Sequence, residues 1–193
     1  ATRDRGLGGG FDYQWDVATY LLLRYGLRTK RPPQSELAEL LSWVDPITAV
    51  FLEGREDLQS LEDFALEGHD GRAILFQVKE VDGDDVRVVW QKGSQRVVEF
   101  VMRTGTRPAD ERRRYVFLSN GTFHSSLGKA FSSEVAAQAY FDASFAKRVE
   151  PGTDSDAFVG NMHRIRLCMF LAPTPAGDDI AAGGIGRAII NEL

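Results

Sequence analysis

Three polar residues interrupt the most strand-like part of the chain: Asp63, Gln77 and Lys79, within SLEDFALEGHDGRAILFQVKE from Ser60 to Glu80. Burying a carboxylate or an ammonium costs on the order of several kcal/mol unless it is paired, so these side chains need one another, a metal or water. Side chains alternate along a strand. In AILFQVKE, Leu75, Gln77 and Lys79 therefore share one face, and Ile74, Phe76 and Val78 the other. A two-residue turn at Asp70–Gly71 would set Asp63 against Val78, on the wrong face. A three-residue loop, His69 to Gly71 with Gly71 left-handed, sets it against Gln77 and gathers all three polar groups on one patch. The spacing predicts this second register.

Such a patch suits a hard cation. Asp63 offers a charged oxygen, Gln77 an amide oxygen and the backbone at Val78 a third, a donor set for Mg²⁺ or Mn²⁺. Lys79 would orient or help deprotonate a water there and stabilise charge developing on a phosphate. A plainer reading of the same residues is a Lys79–Asp63 ion pair, with Gln77 satisfied by backbone. The single cysteine, Cys168, excludes an intramolecular disulfide and a thiolate zinc cluster, and fits a reducing cytosol. His69, His124 and His163 lie far apart with no i, i+4 pair, so a metal here would be held by oxygen.

The elements that must position these residues can be read outward from them. Phe11 to Arg28 has the length and apolar spacing of a buried helix, and Leu37, Leu40 and Leu41 mark a shorter one. ITAVFLEG after Pro46 reads as a strand, followed by the hairpin, a short strand in DDVRVVWQK, and a helix in GSQRVVEFVMRTG closed by Gly105. The apolar run in RRRYVFLSNG predicts a strand covered on both faces. Thr122 to Val149 reads as helical with Ser133 as an N-cap, EPGTDSDAFVG as a loop, and RIRLCMFLAP as a strand or buried helix. DDIAAGGIGRAIINEL closes the chain as a helix. This order predicts a mixed α/β sandwich with helices on both sides of a short sheet.

Composition narrows the class. At 43% hydrophobic and 26% charged, with no apolar run near the roughly 20 residues of a bilayer span, the chain reads as a non-membrane globular domain. Its beginning lacks the residue order of a secretory signal, and a cytoplasmic location is expected. A net charge of −5 argues against one large basic face, yet ERRRY from Glu111 to Tyr115, with Arg103, Arg107, Lys92 and Arg96, supplies local positive charge. Other signals have plainer explanations. GLGGG and GGIG do not follow strands as a phosphate loop requires, His124, Ser125 and Ser126 suit a helix N-cap, and Trp15, Trp43 and Trp90 suit the core.

Asp63 followed by Gln77-Val78-Lys79 resembles the PD-(D/E)xK motif of restriction-endonuclease-like nucleases, with glutamine in place of the usual acid. The surrounding order, GGFDYQWDVATYLLL, VFLEGRED, VRVVWQKGSQRVVEFV and YVFLSNG, resembles the double-stranded DNA endonuclease domain of bacterial anti-phage effectors of the CD-NTase-associated or Lamassu type, from Gly9 to Phe123. The resemblance implies a restriction-endonuclease-like mixed central sheet flanked by helices on both faces. It also implies a Mg²⁺-dependent (or Mn²⁺-dependent) endodeoxyribonuclease that hydrolyses phosphodiester bonds in anti-phage defence. Residues 1–193 would form a single nuclease domain, the N-terminal effector part of a longer protein with a sensor or regulatory domain or subunit, oligomeric when active. Asp63, Gln77, Lys79 and Gln14 carry over as catalytic residues, and Asp63, Gln77, Val78 and Glu53 as metal ligands. Asp57 in EGRED is a rival to Asp63. The alternative is a catalytically silent module of the same fold that binds nucleic acid or a partner protein.

Overall fold

The computed structural model describes residues 17–19, 21, 35–52, 63–81 and 89–169. The elements, in chain order, are α1 (Ser35–Val44), β1 (Ile47–Leu52), β2 (Phe64–Gly68), β3 (Ala73–Lys79), β4 (Val89–Trp90), α2 (Gln95–Gly105), β5 (Arg113–Ser119), β6 (Thr122–Phe123), α3 (Ser125–Ala130), α4 (Glu134–Ser144), α5 (Ser155–His163) and β7 (Ile165–Met169). Five strands form one mixed sheet in the order β1-β2-β3-β5-β7, while β4 and β6 pair separately. The first three strands form an antiparallel meander, and β3, β5 and β7 run parallel. The parallel connections need crossovers. Helix α2 lies in the first, and α3 to α5 lie in the second.

The alternation read from the sequence decides the two layers. Ala65, Leu75, Tyr115, Phe117 and Ile165 pack with Val97, Val101, Leu127, Tyr140, Phe141 and Phe158 from α2 to α5. Phe64, Phe76, Val116, Leu118 and Cys168 point the opposite way, against Leu37, Leu41 and Val44 of α1 and the helical residues Val17, Ala18 and Leu21. Strand β3 is buried from Ala73 to Val78, as expected for apolar residues on both faces of a central strand. The Phe64 and Phe76 rings stack at 4.4 Å across the β2–β3 pair. Such a pair adds about 0.5–1.5 kcal/mol beyond its area burial and helps hold these strands in register.

Within DDVRVVWQK, Val89–Trp90 forms β4 and residues 84–88 lie outside the described residues. Other boundaries differ from the sequence reading. The 122–149 stretch opens with β6 and then divides into α3 and α4 around residues 131–133. Ser133 does cap α4, accepting from the Ala136 N–H at 3.2 Å. His124 caps α3 with Nδ1, which confirms a structural use for the His-Ser-Ser run. The expected loop EPGTDSDAFVG contains the start of α5, because the Asp154 carboxylate accepts from both the Asp156 and Ala157 N–H groups at 3.0 Å and nucleates the turn. Gly105 ends α2 without a left-handed cap; the next residue, Thr106, stays right-handed at φ −76°. Its smallness serves packing instead, since a Cβ there would overlap the Phe158 ring of α5. The final predicted helix lies outside the described residues, as does most of the first.

Candidate active site

The β2–β3 loop fixes the register on which the site depends. Gly68 donates from its N–H to the Arg72 carbonyl at 2.8 Å, and Gly71 adopts φ +78°. His69, Asp70 and Gly71 therefore form the three-residue loop, and Glu67↔Ala73 through Phe64↔Phe76 follow. One step further, Asp63 stands across from Gln77. Asp63 has left the regular ladder: its own N–H goes to the Phe76 carbonyl at 2.8 Å, and its side chain takes over from the strand. One carboxylate oxygen, Oδ2, accepts from the Gln77 Nε2 amide at 2.6 Å and from the Val78 backbone N–H at 2.5 Å. Val78 has the next N–H on that edge of β3, so the carboxylate substitutes for the carbonyl a continuing β2 would supply.

The electrostatics of this corner are uneven. Burial pushes the Asp63 carboxyl above its ordinary value, and the Val78 N–H, the Lys79 charge and the Gln77 amide pull it back only partly. Lys79 is half-buried, on the face that carries Leu75 and Gln77. No Lys79–Asp63 ion pair forms within 4.0 Å, so the plainer reading of these residues is not what the geometry supports. Lys79 acts on the carboxylate through space and leaves its ammonium without a partner among the described residues.

Below Lys79 the backbone is tied to β5. The Ser119 hydroxyl donates to the Lys79 carbonyl at 2.6 Å and accepts from Trp90 Nε1 and from the Gly121 N–H, each at 3.0 Å. The Asn120 amide embraces Val81, accepting from its N–H at 2.6 Å and donating to its carbonyl at 3.0 Å. These two side chains carry the β3–β5 pairing past the end of the ladder and hold the strand end that bears Lys79. Sequence reasoning assigned them no role. The signal was present, since a polar pair directly after an apolar run marks the point where strand partners are exhausted.

The residues proposed for the site therefore divide. Asp63, Gln77, Val78 and Lys79 come together at one end of β3, whereas Gln14, Glu53 and the rival Asp57 lie outside the described residues. Asp63 holds Gln77 by its amide nitrogen, which turns Gln77 Oε1 away from the carboxylate. Asp63 Oδ1 and Gln77 Oε1 accept no hydrogen bond among the described residues, and neither is a sealed, unpartnered atom. Both oxygens are unengaged, but with Gln77 Oε1 turned away they do not face one site; a hard divalent ion would take Asp63 Oδ1 and further oxygens, and Gln77 would join it only with its amide turned over. Among the described residues no group of three or more His, Cys, Asp or Glu side chains clusters. The basic residues divide as well: Arg113 and Arg114 open β5, while Ser119 ends it beside Lys79. No family model matches the sequence, and no curated protein or solved structure gives a significant match.

Proposed function

We propose that the chain is a Mg²⁺-dependent endonuclease of restriction-endonuclease-like fold, acting on double-stranded DNA as the effector of a defence system. The observation that carries this reading is the corner where Asp63 binds Gln77 and the Val78 N–H, with the Lys79 ammonium uncommitted on the same strand. The mixed sheet with helices on both faces agrees with the architecture the motif implies. Asp63 would hold the ion through Oδ1, and Gln77 through Oε1 once its amide turns over. A bound divalent ion supplies Lewis-acid activation of water and of the phosphate.

The other steps belong to the chain. Lys79 offers a cation without a competing carboxylate, suited to charge accumulating on the phosphate oxygens. Ser119 fixes the Lys79 backbone, so the ammonium swings on a short tether. Burial around Gln77 limits water on one side of the carboxylate and strengthens each charge interaction there. The test is cleavage of supercoiled plasmid with Mg²⁺. Lys79→Ala should lower the rate about 10²–10³-fold while leaving the melting temperature nearly unchanged, because its side chain holds no described partner. Metal-dependent cleavage that survives Lys79→Ala would remove the assignment.

One observation favours the alternative of a silent binding module. Gln77 replaces an acid and turns its amide nitrogen to Asp63, which leaves a single carboxylate among the described site residues. Absence of cleavage under every divalent ion, with calorimetry showing no Mg²⁺ or Mn²⁺ binding, would select that reading.

A further inference from the structure

At the opposite end of the parallel strands the charge is reversed. Arg113 pairs with Ala73 and Arg114 with Ile74 at the start of β5, and the Ala73 N–H bonds the Arg112 carbonyl, which brings Arg72 and Arg112 side by side. Arg164 precedes β7, and Arg166 stands beside Val116. Since Arg114 and Val116 share a face, Arg114 and Arg166 occupy neighbouring strands of that face. The seven residues from Arg113 to Ser119 span about 20 Å, so this cluster is remote from Lys79.

Some of these guanidinium groups are neutralised and some are not. Arg72 pairs with Asp70, and Arg113 with Asp110 at 2.9 Å; Arg112 reaches Asp110 only at 3.9 Å. Arg114, Arg164 and Arg166 instead donate to Glu111, Arg113, His163 and Ile165 carbonyls or to the Asn161 amide oxygen. None has a carboxylate within 4.0 Å among the described residues. Their mutual repulsion registers on Arg114, whose pKa is lowered by burial and then by Arg166 and Arg164, with Glu111 opposing only in part. Trp43 lies between two members, with Arg114 at 4.5 Å and Arg72 at 5.5 Å from its ring, so the guanidinium planes are braced.

We infer that this arginine end of the sheet docks the phosphate backbone of a nucleic acid, at a surface separate from the Asp63–Gln77–Lys79 corner. Arg114, Arg164 and Arg166, held together with no carboxylate in ion-pair reach while their neighbours Arg72, Arg112 and Arg113 share Asp70 and Asp110, are a local cost that a polyanion would offset. The choice of polyanion follows from what the patch lacks. A protein partner is gripped by desolvated apolar or aromatic anchors, yet the large exposed hydrophobics among the described residues are Val89 and Val135, in β4 and α4, and the patch's one aromatic, the partly buried Trp43, is taken up by Arg72 and Arg114. Nucleic-acid interfaces are polar and strongly positive, as this surface is. The choice also rests on the nucleic-acid reading of the function, so the test must separate the two.

The whole chain, wild type and Arg114→Gln/Arg166→Gln, is titrated in EDTA against a labelled duplex of about 30 base pairs, across a salt series. If each arginine neutralises one phosphate, the double variant should bind about tenfold weaker per lost contact near 0.1 M salt, and the slope of log K against log salt should fall by about two. Arg166→Gln alone, at an exposed position, gives half that effect should Arg114→Gln disturb Trp43 and the fold. Unchanged affinity and slope, or no binding by the wild type, would overturn the inference. So would arginine-dependent binding of polyglutamate in preference to DNA, which would point to an acidic protein partner. Arginine-dependent DNA binding without any metal-dependent cleavage would leave this surface standing and remove the nuclease; cleavage with arginine-independent binding would do the reverse.

Discussion

Asp63 carries a carboxylate where burial opposes ionisation and two N–H donors compensate only in part. The sign of its effect on stability follows. A carboxyl whose pKa is raised in the folded state favours folding most when protonated, and that contribution is lost as pH rises through the folded value. At neutral pH the ionised side chain is therefore a burden that Asp63→Asn should relieve. The new amide keeps an oxygen for the Val78 N–H and the Gln77 amide, so the expected outcome is a higher melting temperature at neutral pH and a flatter melting temperature between about pH 4 and 7. Cleavage should be lost in the same protein. Calorimetric melts across that range check this, and a lower neutral-pH melting temperature would show that the carboxylate is stabilising after all. Gain of stability with loss of activity is the signature of a residue kept for its chemistry.

At the scale of elements, the loop and the strand ends carry the consequences. Gly71 at φ +78° sets the three-residue loop, and Gly71→Ala forces a Cβ into a left-handed conformation. The expected cost is about 1–2 kcal/mol by urea denaturation, with an accompanying fall in cleavage as Asp63 loses its alignment with Gln77. Ser119→Ala would leave the Lys79 carbonyl and Trp90 Nε1 short of a partner, at about 1–3 kcal/mol, and should reduce activity though Ser119 itself is buried. Activity unchanged in a destabilised Ser119→Ala protein would show that Lys79 is positioned by other means. The register was legible because side chains alternate and Gly71 tolerates the turn; the two facing polar residues could be counted in from the loop. The start of α5 was not, since Pro151, Gly152, Asp154 and Ser155 are loop formers until Asp154 is seen capping a helix buried through Phe158. Ser119 and Asn120 marked a strand end, but their partners, Lys79 and Val81, could not be read because they are 40 and 39 residues away in sequence.

Across the whole molecule, the sheet separates two kinds of charge. Its parallel strands begin among arginines and end beside Lys79 and the half-buried Asp63 carboxylate, so the arginines and the Asp63–Lys79 corner stand at opposite ends of the sheet. Spacing along the chain could not reveal this: Arg72, Arg114 and Arg166 become neighbours only when β3, β5 and β7 align. If the nuclease reading holds, chelation of divalent ions should abolish cleavage while leaving DNA binding through the arginine end intact, a separation that gel assays with and without EDTA would reveal. The substitution of the Asp63 carboxylate for a strand carbonyl has one more use. Val78 N–H now ends on an ionisable acceptor, so its amide proton is a native reporter of events in the corner. Its NMR chemical shift should titrate with the carboxyl group and move again when a cation binds the other oxygen of the same carboxylate. The chain thus contains its own indicator of metal occupancy, readable in solution without a substrate or an attached dye.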